Sequence, residues 1–562
     1  MSQDPLNQVG GARTFWTTVN ATEAIPGATT PLTWSFYSDA TELALRGTFA
    51  EIGTLPRSEV TGATVPADPD GRFIGIFFGH PAANMNVFRR MADLTPGGSG
   101  DALEEQFFGT KRSNIAPIRS RRRYPVVAAR MPVAAWRAPG RIRAGHDEAD
   151  AWWREVVSAP VTPELARELL PAAADRYRAV LHWHGVGTMF TQGLFDQLTR
   201  LAAGAGRPGA ELELVGGLDD LAESAVLDDL WAVSRGRLSL AEVVRRHGCH
   251  GRNAGELSTR SWREDPDQAR AAVEQYRDRP DELSPRVAVA LSADRAAAAR
   301  AEFLAGLRPV TRAKAGLLLR LVRRFMPLRE VGRGGLLRAL DAGRLAARCL
   351  GAELHRTGAL ADPADVFFLT IPELVGPLPA DVGQLVALRR KQHAEYALLE
   401  LPDAWLGTPE PRTADVSTAG TGTAGTGTAG TGTAGTGTAG TGTAGTGTAD
   451  TGASLSGVAA SPGSATGIAR VVDDPDEVDL EPGEILVCHT TDPSWASLMS
   501  LAAGLVIDVG GPLSHGAIVA RELGVPCVIG TRNGTRVIRT GDTVQVDGST
   551  GVVHLPDTGR TT

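Results

Sequence analysis

Apolar residues, mostly Ala and Leu, recur at three- and four-residue spacings through residues 163–186, 268–279 and, above all, 293–358. That period lays an apolar stripe along a helix, so the chain before residue 410 reads as mainly helical. Pro327 starts or kinks one of these helices, because proline removes a backbone donor and fixes φ. The opening stretch, to about Gly109, is richer in Gly, Thr, Phe and Pro and reads as extended chain and loops, a collar around the helices. After residue 453 the pattern changes. Residues 467–472, 484–488, 505–509, 526–530 and 543–546 are short β-branched runs punctuated by Gly, Pro and Asp, with a single helix fitting from Ser514 to Leu523. This predicts a multi-domain chain: a mainly α-helical central domain followed by a small C-terminal α/β domain.

The boundary between the two is marked by a repeat. From Thr418 to Gly452 the pentapeptide TAGTG recurs, ending in TADTG, with no aromatic or large apolar side chain. Such a stretch buries too little surface to offset the entropy of ordering, so it reads as a disordered, flexible tether. The expected division is residues 1–410, a helical acceptor domain with a loop-rich start; 411–453, the linker; and 454–562, the α/β domain.

Composition narrows the partners. At 562 residues the chain is long enough for two to four domains, and its net charge of −7 gives no basic excess to favour nucleic acid or an acidic membrane surface. Only Lys111, Lys314 and Lys391 are lysines; the other cations are arginines. Cys249, Cys349, Cys488 and Cys527 lie far apart with no C-x-x-C pair, which argues against a disulfide framework or zinc knuckle. The apolar stretches are broken by arginine short of a membrane span, and the first residues lack the basic start and apolar core of a signal peptide. The expectation is a cytoplasmic protein with no membrane and no nucleic-acid partner.

Candidate chemistry concentrates in VGGPLSHGAIVARELGVPCVIG, residues 509–530. A buried strand ends at Val509, Gly510 and Gly511 permit a tight turn, and Ser514 stands where a helix N-cap belongs. His515 then falls in the first helical turn. A protonated imidazole is poorly placed there. A phosphorylated one is well placed, since the helix N–H groups and dipole stabilise negative charge. A neutral ring nitrogen is also a competent nucleophile near pH 7.

This stretch resembles the phosphohistidine motif of the phosphoenolpyruvate-utilising enzyme family: Gly-Gly, Ser-His, Ala517, Ile518, Ala520-Arg521, Gly524, Pro526 and Gly530 fall in one register. Gly516 departs from the alanine usual after the histidine, which loosens the expected helix start. Residues 457–472 resemble the opening strand of that swivelling domain, and Asp492-Pro493 a loop before its core strand. Residues 20–36, 327–340 and 358–374 are similar to parts of the central domain of rifampin-phosphotransferase-like proteins. The resemblance implies that His515 carries the phosphoryl group and that an Arg-Glu-x-x-Lys stretch, here Arg329, Glu330 and Arg333, contacts it. Arg329 and Arg333, four residues apart, share one helix face and suit phosphate oxygens; Gly511 and Ser514 complete the expected phosphate site. Residues 247–266 resemble a further family segment and nominate His250, Arg252 and Glu256 for an acceptor pocket. No metal is expected: His247, Cys249 and His250 offer no nearby fourth ligand. His182 and His184 read as packing residues.

Relatives with a full catalytic cycle begin with an ATP-grasp domain, whereas this sequence shows no G-x-x-x-x-G-K-[ST] loop. The resemblance is then closest to phenylphosphate synthase, whose nucleotide-binding subunit is a separate chain. It implies a phosphotransferase component that receives phosphoryl on His515 from Mg-ATP through an ATP-grasp partner and passes it to a hydroxyl of a small organic acceptor. No cofactor is expected to be bound tightly by this chain. The alternative is a non-catalytic ligand-binding protein with a relic or regulatory swivelling domain.

Overall fold

The computed structural model describes residues 4–413 and 453–555, apart from positions 20, 22–24, 26, 61–64, 97, 109–111, 113–114, 119, 219–221, 474, 476–479 and 492. The TAGTG array and Asp492 lie outside the described residues.

The helical part is organised around four long helices. Pro163–Gly204, with 42 residues, and Pro327–Arg356, with 30, make the most extensive contact, and Tyr124–Val157 and Pro31–Glu51 pack against both or either of them. The close approach is a matter of side-chain size. Gly335, Ala339, Ala342, Gly343, Ala346 and Ala347 are buried along Pro327–Arg356, and a Cβ added to Gly343 would meet Phe36 Cε2 at 3.0 Å. Buried polar ties fix the arrangement: Asp341 accepts from Trp153 Nε1 at 2.8 Å and from Arg263 Nε at 2.9 Å. Burial alone would raise the Asp341 pKa, but the Arg263 charge and hydrogen bond, with Arg344, outweigh it and lower the pKa.

Residues 293–358 divide into parts of three helices, Pro285–Ala305, Pro309–Phe325 and Pro327–Arg356, with proline at the first turn of each. Pro327 therefore starts a helix. The segment predicted over 268–279 is the helix Pro266–Glu274.

The opening stretch differs from the loops and extended chain expected of it, because Pro31–Glu51 is a 21-residue helix. Thr30 caps it, with Oγ1 accepting from Thr33 N at 3.4 Å. Buried residues run nearly all round it, from Leu32 and Trp34 to Phe36, Tyr37 and Phe49, so no amphipathic stripe marks it in the sequence. Short strands accompany it: Phe15–Thr17 pairs antiparallel with His80–Asn84 on one side and Ala404–Leu406 on the other, Trp16 opposite Trp405.

The C-terminal part is an eight-stranded sheet in the order Ala453–Ser456, Val552–Leu555, Thr543–Asp547, Ser464–Val471, Ile485–Cys488, Gly504–Ile507, Cys527–Ile529, Val458–Ser461. Ser464–Val471 through Cys527–Ile529 are parallel neighbours, joined by crossovers as parallel strands require. The helix His515–Leu523 lies where expected, but it is not alone: Ala496–Leu501 and Gly534–Val537 are also helical. Their brevity, six and four residues, hides them from helical periodicity.

The two parts are docked. Leu513 and Ile518 enter a cluster with Leu212, Val215, Leu218 and Leu319 of the helical part. Leu218 N donates to Glu522 Oε2 at 2.9 Å, Ser292 Oγ to Arg521 O at 2.7 Å, and Tyr276 Oη lies 2.8 Å from Ser500 Oγ. No helix among the described residues is long and apolar enough to cross a membrane.

Candidate functional site

The strand Gly504–Ile507 delivers the chain to a turn in which Gly510 has φ +139°, a conformation that favours glycine. Ser514, at φ −65° and ψ 163°, caps the following helix, its Oγ accepting from Ala517 N at 3.3 Å. Gly524, in the left-handed region, closes the other end, where Val525 N donates to Ala520 O at 2.9 Å. His515 is the first residue of this helix and is only 3% exposed in the docked arrangement. The family's alanine would not fit at position 516 as it stands. A Cβ there would lie 2.6 Å from Thr491 Oγ1 and 2.9 Å from Ile507 Cδ1.

Across the interface stands the first turn of Pro327–Arg356. Glu330 Oε2 is 3.5 Å from His515 Nδ1, and both side chains are buried. Burial would raise the Glu330 pKa; the hydrogen bond and charge of His515, with Arg333 and Arg329, outweigh it and hold the carboxyl down to about 2. Arg329 and Arg333, one helical turn apart, both line the same cavity. His184 lines it too, while packing as expected against the same helix. Its ring sits against Gly332, where an added Cβ would come within 2.4 Å of Nδ1. Burial, with the charges of Arg329 and Arg333, lowers the His184 pKa to about 4, so the ring is neutral near pH 7.

The cavity between the two parts measures about 1580 Å³. At one end are Gly511, Ser514, His515, Arg329, Glu330 and Arg333; elsewhere Tyr37, Phe49, Phe88, Tyr177 and Met189 provide an apolar wall. The residues nominated for an acceptor pocket are displaced from it. Asn253, Ala254 and Gly255 line the cavity, and His250, Arg252 and Glu256 do not. Glu256 instead ties down the start of Pro31–Glu51, accepting from Thr29, Thr30 and Thr33 hydroxyls at 2.8, 2.8 and 2.6 Å. Arg252 N donates to Gln268 Oε1. His250 is buried beside Trp262, with ring centroids 5.5 Å apart; burial first, then neighbouring positive charge, lowers its pKa. His247 Nε2 lies 2.9 Å from Asp229 Oδ2. A pairing between two helices, Ala222–Ser234 and Leu240–His247, cannot be read from local spacing.

Sequence reasoning missed Glu223 and Asp508. Glu223, in the first turn of Ala222–Ser234, brings a carboxylate to the Glu330–His515 pair. Asp508 lines the cavity and accepts from Gly534 N at 2.5 Å and Thr531 Oγ1 at 2.7 Å, which shapes the turn leading to His515. Burial would raise its pKa, but hydrogen bonds from His489, Thr535 and Thr531 lower it. An acid directly after a buried strand was the available signal for Asp508; Glu223 gave none.

Comparison with known proteins defines the class. Residues 480–551 match the mobile domain of PEP-utilising enzymes, and residues 156–330 match the rifampicin phosphotransferase fourth domain. The chain thus carries one region similar to the mobile domain of phosphoenolpyruvate-utilising enzymes and another similar to a rifampicin phosphotransferase domain. Among its relatives, an uncharacterized protein of Mycobacterium tuberculosis is 33% identical over 247 residues, 44% of this chain and 25% of that protein. The uncharacterized phosphotransferase YvkC of Bacillus subtilis is 34% identical over 209 residues, 37% of this chain and 23% of YvkC. A rifampicin phosphotransferase of a Streptomyces species is 49% identical over 98 residues, 17% of this chain and 11% of the relative. The matches span a quarter or less of the length of these relatives.

Proposed function

We propose that this chain is a phosphotransferase component in which His515 accepts a phosphoryl group and delivers it to a hydroxyl of a small organic molecule. The observation that carries the reading is the convergence of His515, Arg329 and Arg333 on one end of a large, partly apolar cavity. The donor in this reading is Mg-ATP held by an ATP-grasp partner, which the mobile domain reaches after leaving its docked position.

Each group has a task. Glu330 faces Nδ1, which leaves Nε2 as the atom that attacks phosphorus. In the first step the Nε2–P bond forms and the bond from phosphorus to the donor's leaving oxygen breaks. After redocking, the acceptor oxygen attacks phosphorus, the N–P bond breaks, and the hydroxyl proton is released to a neighbouring base or water. The helix N-terminus and the two guanidinium groups stabilise the charge on the transferring phosphoryl, where alignment and electrostatics dominate catalysis. The aromatic wall orients the acceptor and limits water.

The test is incubation with labelled ATP and a candidate ATP-grasp partner, wild type beside His515→Ala. An acid-labile, base-stable adduct on wild type alone is expected. Equal labelling of both proteins overturns the assignment, and labelling without any partner overturns the division between two chains.

A further inference from the structure

Three helix starts converge at the docked interface and bring Glu223, Glu330 and His515 together, with one candidate ligand atom from each within 4.8 Å of the others. The residues are 5%, 4% and 3% exposed. Two carboxylates so close and so buried repel each other strongly unless a cation or proton stands between them. Arg329 and Arg333 supply charge near Glu330, but they also line the cavity. Among the described residues, Glu330 Oε2 has no hydrogen-bond partner closer than its 3.5 Å contact with His515.

We infer that Glu223, Glu330 and His515 form a binding site for a divalent transition-metal ion of the zinc class, and that occupancy locks the mobile domain in its docked position. One imidazole and two carboxylates, with room for a further ligand from the cavity, suit zinc or cobalt better than calcium or magnesium, which favour oxygen alone. Ligands about 2.1 Å from a tetrahedral metal stand roughly 3.4 Å apart, so donors now within 4.8 Å of one another close by up to about 1.4 Å on binding. The site spans both parts of the chain: Glu223 and Glu330 come from the helical part, His515 from the mobile domain. It therefore exists only when docked. A metal held there withholds His515 from the phosphoryl donor and displaces any imidazole proton at the coordinating nitrogen.

The proposal uses the docked geometry and only its consequence rests on phosphotransfer, so the binding test omits nucleotide and acceptor. Zn²⁺ is titrated calorimetrically into metal-stripped full-length protein, and Co²⁺ replaces it for visible absorption. Wild type should bind one ion saturably and give the intense bands of low-coordinate Co²⁺. Glu223→Gln, Glu330→Gln and His515→Ala should each weaken Zn²⁺ binding by about a hundredfold, as expected for loss of one of three ligands. His247→Ala, at the separate His247–Asp229 pair, should bind as wild type does. Unchanged binding in the three variants, or loss in His247→Ala instead, overturns the site. So does wild-type Co²⁺ with the weak bands of the hexa-aqua ion, a readout that needs no variant to fold. Labelling of His515 from Mg-ATP through the partner, with no Zn²⁺ added, is scored separately, so either conclusion can fail alone.

Discussion

Glu330 Oε2 and His515 Nδ1 face each other at 3.5 Å across the interface between the helical part and the mobile domain. The contact links the chemical state of the histidine to docking. Its carboxylate opposes one ring nitrogen and, in the proposed transfer, leaves the other for phosphorus. The part of that carboxylate's stabilisation that comes from His515 exists only while the domains are together.

Glu330→Gln should therefore alter the acid limb of stability. The folded-state pKa is lowered to about 2 from an ordinary 4.5. A depressed carboxyl pKa contributes stability that is fully present above the unfolded value and disappears as pH falls through the folded one. The difference in thermal midpoint between wild type and Glu330→Gln should be constant above pH 5 and shrink between 4.5 and about 2. Midpoints measured from pH 7 downwards check this. A gap independent of pH would mean that the carboxylate's charge does not contribute.

Arg329→Ala and Arg333→Ala should leave formation of phosphohistidine nearly unchanged but slow its discharge to acceptor. Loss of one preorganised charged donor costs roughly 10²-fold in rate, about 2.7 kcal/mol. Single-turnover decay of the phosphoprotein measures the step directly. Discharge of both variants at the wild-type rate would assign the arginines to structure alone.

The sequence made the helix and strand classes legible because their signals are local. Ser514 before a periodic helix, Gly524 after it, and proline opening successive helices are rules of backbone geometry. Arg329 and Arg333 were nominated by the family resemblance; their four-residue spacing puts them on one helix face, and both line the cavity. The pairing of Glu330 with Glu223 was not legible, because it depends on how helices distant in sequence dock. Glu256 illustrates the converse: a buried acid in a family-like segment read as a pocket residue, yet its oxygens are taken by three threonines. Pro31–Glu51 escaped because a helix buried on most sides carries no stripe.

Gly516 offers a reversible test of packing around His515. Alanine in place of glycine favours a helix by up to about 1 kcal/mol. Overpacking costs about 1–3 kcal/mol. With Thr491 Oγ1 at 2.6 Å from the added Cβ, the second effect should win and Gly516→Ala should lower the melting temperature. In a Thr491→Ala background the nearest obstacle is gone and only Ile507 Cδ1, at 2.9 Å, remains, so the same substitution should cost less. Thermal unfolding of the four proteins supplies the cycle, and an identical effect in both backgrounds would rule out the Thr491 contact as its cause.

Docking itself should be adjustable without touching the chemistry. Ile518 is 1% exposed and packs into the cluster containing Leu212, Leu218 and Leu319, on the side of its helix that meets the helical part. Truncating a buried isoleucine to alanine costs about 2–5 kcal/mol, and here much of that loss falls on the contact between domains. Ile518→Ala should raise the undocked population and expose His515, which is 3% exposed when docked. Val544→Ala is the matched control, because Val544 lies in the mobile domain's own core, away from the interface. Carbethoxylation of His515 by diethyl pyrocarbonate, followed by mass spectrometry, reports the exposure. The reaction should run several-fold faster in Ile518→Ala than in wild type or Val544→Ala. Equal rates in Ile518→Ala and wild type would mean that this contact does not limit opening, and equal acceleration in both variants would trace the exposure to loss of the domain's own fold.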